Sequence, residues 1–174
     1  MIFLQLSVQA VCADSKDGIL EEKFKALGII RLAKIAPVAD DDLIDMKGNS
    51  VKLSDFKGKI LFLNFWTTWC PDCIFEMPDI ERLHKKLGSK DLMIIALDLK
   101  ESKQKVEKFI LKHDLSFKIL LDKKGGMGRA FGIRSIPTTF ILGRDGGLMG
   151  KAMGARNWDS RESVNLFKYL IQYY

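Results

Sequence analysis

Cysteine and histidine are scarce in this chain, with three of the first and two of the second in 174 residues. Three is odd, so a framework of internal disulfides cannot use every thiol. It also excludes a four-cysteine zinc site within one chain. Long apolar runs are absent too: none reaches the roughly 18 residues of a membrane-spanning helix. Charge of one sign is only mildly in excess. Lys and Arg number 28 against 22 Asp and Glu, for a net +6. The basic residues alternate with acidic ones, which describes a solvated surface better than a nucleic-acid footprint. No internal repeat or low-complexity segment occurs. What is there is 47% hydrophobic and 29% charged. That balance fits one soluble globular domain with a sizeable core, with or without a tail.

Residues 1–13 carry no charged side chain and include Cys12. Val11-Cys12-Ala13 loosely resembles an export cleavage site. No Lys or Arg precedes the apolar part, and Gln5, Ser7 and Gln9 interrupt it in a strand-like alternation. Two readings stand: a truncated signal peptide, or an ordinary N-terminal segment. A lipid-anchored Cys12 is disfavoured by bulky Val11. Cleavage after Ala13 would leave two cysteines and the same charge. From Asp14 to Lys34, Ile19, Leu20, Phe24, Leu27 and Ile30 fall at helical spacing, limited by Gly28. Residues 14–36 therefore read as a helical extension, and residues 37–174 as the main domain.

Pro37 and Asp40-Asp41-Asp42 mark a turn. Leu43–Met46 and Val51–Leu53 flank Lys47-Gly48-Asn49 as a hairpin. Ile60–Trp66 is a nearly continuous apolar run, as in a strand buried on both faces. Pro71–Leu87 has helical spacing at Ile74, Met77, Ile80 and Leu83. Leu92–Leu97 predicts a second buried strand, Ser102–His113 a helix, Phe117–Leu121 a strand and Met127–Phe131 a short helix. Thr138–Leu142 and Leu148–Met153 pair across Arg144-Asp145-Gly146-Gly147, and a last helix runs from about Asp159 to Ile171. Strands alternating with helices indicate an α/β sandwich.

The sharpest motif, Trp69-Cys70-Pro71-Asp72-Cys73, stands where a buried strand feeds a helix. Cysteines at this spacing can close a small disulfide ring with little backbone movement. Cys70 would stand at the helix N-terminus, with Pro71 in the first turn, where its missing N–H costs nothing. Unpaired N–H groups and the helix dipole favour a thiolate there. Such a thiolate can attack a partner disulfide, and Cys73, one turn deeper, can resolve the mixed disulfide. Competing readings are weaker. There is no second Cys-x-x-C pair to complete a zinc site. The only histidines are His84, read as a surface residue of the following helix, and His113. Haem attachment needs histidine after the second cysteine, where Ile74 stands. A purely structural disulfide over so short a loop contributes little. Gly125-Gly126-Met127-Gly128 lacks the Lys-Ser/Thr ending of a phosphate loop. Ile136-Pro137-Thr138 sets a proline before a buried strand. Taken alone, it favours a trans edge-strand proline. The alternative is a cis bond lying against the sulfurs, with the Ile136 backbone free for a substrate strand.

Together these segments resemble the TlpA/ResA branch of the thioredoxin-like proteins. Asn64-Phe65-Trp66-Thr67-Thr68-Trp69-Cys70-Pro71-Asp72-Cys73, followed by Glu76-Met77-Pro78, is similar to the family's active-site segment. Ile136-Pro137-Thr138-Thr139-Phe140 resembles its cis-proline segment, and Gly154-Ala155-Arg156-Asn157-Trp158 the turn before its last helix. Leu53-Ser54-Asp55-Phe56-Lys57-Gly58-Lys59 resembles the lead-in to its first core strand. The likeness covers roughly Pro37 to the C-terminus. It implies a thioredoxin-like fold, with a central mixed sheet flanked by helices. An N-terminal hairpin extension and an inserted strand–helix unit at about Asp98–Asp122 complete it. The resemblance also turns the reading of Pro137 toward cis.

The same resemblance implies Cys70 as nucleophile, Cys73 as resolving cysteine and Glu76 as the group that handles protons. Cys73 and Glu76 are three apart on one helix and share a face. A partly buried carboxylate there would have a raised pKa and could take the Cys73 proton. The alternative for Glu76 is a solvated helix residue. Asn64 stands where ordinary thioredoxins carry a buried aspartate, which makes Glu76 the better acceptor. Trp69, Pro71, Ile136 and Pro137 are the expected substrate contacts, with Trp69 covering the site and Phe65 in the core. Asp72 repels a thiolate and is itself stabilised at the helix start, two effects of opposite sign. Pro78 should kink the helix.

The expected function is thiol–disulfide exchange with protein disulfides or dithiols, reductive as the resemblance implies for an exported, periplasmic member. Apocytochrome c cysteines are one target, with electrons from a membrane thiol donor; a general exported oxidoreductase is the other reading. No cofactor, metal or nucleic acid is expected, and a monomer is the family expectation. One alternative is a thiol peroxidase, although nothing before Cys70 supplies the proline of Pro-x-x-x-Thr/Ser-x-x-Cys. Another is a copper-binding thioredoxin-fold chaperone, although no histidine follows His113.

Overall fold

The computed structural model describes residues 16–35, 41–88 and 91–174. Cys12, the export reading of residues 1–13 and the turn expected at Pro37 lie outside the described residues. The described elements run α1 (16–26), β1 (Ile30–Ile35), β2 (Leu43–Asp45), β3 (Ser50–Val51) and a 3-10 turn (Leu53–Phe56). They continue with β4 (Ile60–Trp66), α2 (Pro71–Leu87), β5 (Leu92–Leu99), α3 (Lys103–His113) and β6 (Lys118–Asp122). The last are α4 (Gly126–Ala130), β7 (Thr138–Leu142), β8 (Leu148–Met153) and α5 (Arg161–Tyr173). All eight strands join one sheet, in the order β1-β8-β7-β4-β5-β6-β2-β3.

β4, β5 and β6 are parallel, and α2 and α3 are the crossovers that parallel neighbours require. β7, β8 and β1 add antiparallel on one side, and the β2–β3 hairpin adds on the other. This is the mixed sheet flanked by helices of the thioredoxin-like fold, with the expected hairpin and the expected inserted strand–helix unit.

All seven residues of β4 are buried. Successive side chains alternate across a strand, so the apolar run feeds two cores. Ile60, Phe62 and Trp66 pack with Met77 and Ile80 of α2, Val106 and Phe109 of α3, and Leu166 and Phe167 of α5. Leu61, Leu63 and Phe65 pack on the other face with Leu53 and Phe56 of the 3-10 turn and Met127 of α4. Phe65 is thus in the core, as expected. α2 continues past Pro78, which lies on its exposed side. Among the described residues, no helix is long and apolar enough to cross a membrane.

The helical extension expected over residues 14–36 is corrected in its second half. α1 stops at residue 26, Gly28 turns the chain at φ +60°, and Ile30–Ile35 is strand β1. β1 pairs antiparallel with β8, Ile30 opposite Lys151 and Arg31 opposite Gly150. Helical spacing counted Ile30 with α1; the open hydrogen-bonding edge of β8 recruits it instead. α1 lays Leu20 and Phe24 into the core over Gly150. A Cβ on Gly150 would stand 2.9 Å from Ile29 Cγ2 and 3.0 Å from Phe24 Cζ, so glycine permits this close approach.

Candidate active site

β4 ends at Trp66, and α2 begins five residues later at Pro71, with Cys70 at its N-cap. This is the carboxyl end of the parallel strands, where open α/β sheets place their sites. Pro71 occupies the first turn, and Cys70 Sγ accepts the Cys73 N–H at 3.1 Å. A sulfur that accepts a helix N-terminal amide is favoured as thiolate when reduced. Cys70 and Cys73 form a disulfide with their Cα atoms 5.2 Å apart. Cys70 is 5% exposed and Cys73 0%.

The Ile136–Pro137 bond is cis. β7 begins at the next residue and pairs antiparallel with β4, Thr138 opposite Phe65. That register sets the proline beside the carboxyl end of β4 and hence beside the cysteine turn. Pro137 is buried, and its carbonyl accepts the Gly154 N–H at 2.8 Å. Ile136 is half-buried, and no hydrogen bond engages its backbone among the described residues. Trp69, expected over the site, is 64% exposed, and Pro71 is exposed beside it.

Glu76 is fully buried, not solvated. Its Oε1 accepts Asn64 Nδ2–H at 2.7 Å. Its Oε2 accepts Trp158 Nε1–H at 2.9 Å and the Arg156 backbone N–H at 3.2 Å. Desolvation pushes the carboxyl up to about 7, against the downward pull of these donors. Three donors leave a lone pair open on Oε1. Asn64 is held in turn by Thr139 Oγ1 at 3.0 Å, its opposite in the β4–β7 register. The residue at the thioredoxin aspartate position therefore serves Glu76 as a donor.

Some site features escaped sequence reasoning. Trp158 and the Arg156 amide were legible only as a turn before the last helix. Asp98 and Glu101 escaped altogether, although an aspartate ending an apolar strand run was a usable signal. Asp98 is fully buried and pushed up to about 8, by desolvation first and then by its neighbour Glu101. Glu101 is held below its ordinary range by Lys105 and Thr68, despite burial. His84, expected at the surface, is half-buried with its ring edge-on to Phe117 at 6.3 Å. Burial of the α3–β6 connection against α2 explains the difference.

Residues 34–150 match the AhpC/TSA family. The chain is 38% identical over 118 residues to thiol-disulfide oxidoreductase ResA of Bacillus thuringiensis subsp. konkukian, covering 68% of each. It superposes on StoA from Bacillus subtilis with a TM-score of 0.64 and 28% identity, over 73% of this chain and 96% of that one. A candidate thiol:disulfide interchange protein DsbE from Chlorobium tepidum gives 0.72 and 27%, over 80% and 99%. A buried disulfide at a strand–helix junction, a cis-proline at the neighbouring strand and these likenesses agree. The chain belongs to the AhpC/TSA family and is a ResA-like, thioredoxin-fold thiol–disulfide oxidoreductase.

Proposed function

We propose that Cys70 exchanges with protein partners, while Cys73 and Glu76 act behind it as resolving thiol and proton acceptor. The observation that carries this is the order of exposure: Cys70 at 5%, Cys73 and Glu76 at 0%. In the reduced protein, the Cys70 thiolate attacks one sulfur of a partner disulfide and expels the other as thiolate. Cys73 gives its proton to Glu76, and its sulfur attacks Cys70 Sγ. The partner's two thiolates take up the proton held by Glu76 and one from water, so it leaves as a dithiol, two electrons richer, and the Cys70–Cys73 disulfide remains. A carboxyl near 7 accepts and returns a proton at neutral pH with little bias. Trp69, Pro71, Ile136 and Pro137 are the proposed substrate contacts. The unengaged Ile136 backbone supports this, because an extended partner segment can pair with it.

The net direction is proposed to be reductive, on the extracytoplasmic side of a membrane, with a membrane thiol donor returning the electrons. Apocytochrome c cysteines are one proposed target. The apolar stretch of residues 1–13 ending in Val11-Cys12-Ala13 supports export. A second reading, peroxide reduction, draws on the AhpC/TSA match. Leu63 stands where the peroxide-binding pattern needs proline, seven residues before Cys70.

Equilibration of the pair with glutathione buffers tests the direction. A reductase is expected below about −250 mV; a value near about −120 mV, that of strong oxidants, would overturn it. Reduction of a protein disulfide and consumption of hydrogen peroxide, run in parallel, separate the two readings.

A further inference from the structure

A carboxyl pair closes on the turn that precedes Cys70. Asp98 stands opposite Trp66 in the parallel β4–β5 register. Its Oδ1 accepts the Glu101 N–H at 3.0 Å, which braces the connection from β5 to α3. Glu101 then reaches across to the active-site turn. Its Oε2 accepts the Thr68 N–H at 2.5 Å, and its Oε1 accepts the Thr68 hydroxyl at 2.9 Å. Lys105, in the first turn of α3, pairs with Oε1 at 2.5 Å. The Glu101 side chain is 6% exposed, so water competes poorly for these bonds. Charge-assisted bonds of this kind are among the stronger ones, and their removal leaves an amide unpaired.

Thr68 lies two residues before Cys70. Within the turn, the Cys70 N–H makes a long bond, 3.4 Å, to the Thr67 carbonyl. The 3.1 Å contact from the Cys73 N–H to Cys70 Sγ depends on where this turn is held.

We infer that Glu101 is a positioning residue for the reactive sulfur: it clamps Thr68 and so holds Cys70 where the α2 N-terminus stabilises its thiolate. Asp98 and Lys105 act through Glu101. The inference rests on the reading of Cys70 as the exchanging sulfur.

The test compares the full chain with Glu101→Ala, Glu101→Gln and Thr68→Val. Alkylation of the reduced protein by iodoacetamide at pH 7 and the dithiol–disulfide equilibrium in glutathione are measured, with thermal unfolding alongside. Glu101→Ala should slow Cys70 alkylation about tenfold, and Thr68→Val about threefold, as expected for loss of charged and single hydrogen bonds. Glu101→Gln keeps an acceptor oxygen and should fall between wild type and Glu101→Ala. A merely structural role would lower the Tm and leave both thiol readouts unchanged. A folded Glu101→Ala within twofold of wild type in both overturns the clamp. If Glu101→Ala does not fold, Thr68→Val decides by the same criterion. A wild type that fails to exchange with glutathione or a protein disulfide overturns the exchange reading itself, before any variant is considered.

Discussion

At Glu76 the competition is between burial and hydrogen bonding, and burial wins: the carboxyl rises from 4.5 to about 7. The folded group binds its proton more tightly than the unfolded one does. Its contribution to stability is therefore complete below about pH 4.5 and is lost as pH rises through about 7. Asp98, raised from 3.8 to about 8, acts in the same sense. The oxidised protein should thus unfold at lower urea at pH 8 than at pH 5. In Glu76→Gln this fall should shrink by about 3 kcal/mol, the linkage value of a shift of this size. A pH dependence identical to wild type would remove the raised carboxyl. The two sulfurs make a separate prediction. Cys73→Ser should trap a mixed disulfide with a protein substrate, visible by non-reducing electrophoresis. Cys70→Ser should trap none and exchange at background rate, because Cys73 has no exposure to a partner.

Among the elements, α2 carries the cysteine pair and α1 carries the unexpected packing. α2 presents Cys70 at its N-cap and buries Cys73, Glu76, Met77 and Ile80 along one face. Its far end is tied to the start of α5, where Asp159 accepts from Arg82 at 2.8 Å and pairs with Lys86. Both pairs are half-exposed on the basic side and contribute modestly. α1 is anchored by Phe24, fully buried over Gly150. Phe24→Ala should lower stability by about 3 kcal/mol, as a large core truncation does. Gly150→Ala should cost about 1–2 kcal/mol through overpacking against Phe24 and Ile29. Urea midpoints of the two variants check both. The glutathione equilibrium of both should stay at the wild-type value.

For the whole molecule, one sheet runs through everything from β1 to β3, and its far edge belongs to the N-terminal extension. A chain starting at residue 37 would lose Leu20, Phe24 and Ile29 from the core and bare the edge of β8. It should unfold at markedly lower urea, by about 4 kcal/mol or more, and self-associate through the open edge on size-exclusion chromatography. A monomer of wild-type stability would show that the extension is dispensable. Much of this architecture was legible along the chain. The seven-residue run Ile60–Trp66 announced a strand buried on two faces. Cys70-Pro71-Asp72-Cys73 announced a helix start with a sulfur at its cap, and the three-residue step to Glu76 put it on the face of Cys73. Such rules act within one turn of chain, so neighbouring residues are enough to set them. Ile30–Ile35 was not legible, because its neighbour β8 lies far along the chain and its edge exists only after folding. Nor was the protonation of Glu76, whose donors Asn64, Arg156 and Trp158 come from 12, 80 and 82 residues away. The grip of Glu101 on Thr68 spans 33 residues in the same way. Which residues stand at the start of α2 was therefore written in the sequence. How their protons and positions are held was decided by tertiary structure alone, because desolvation and long-range hydrogen bonds arise only when distant segments meet.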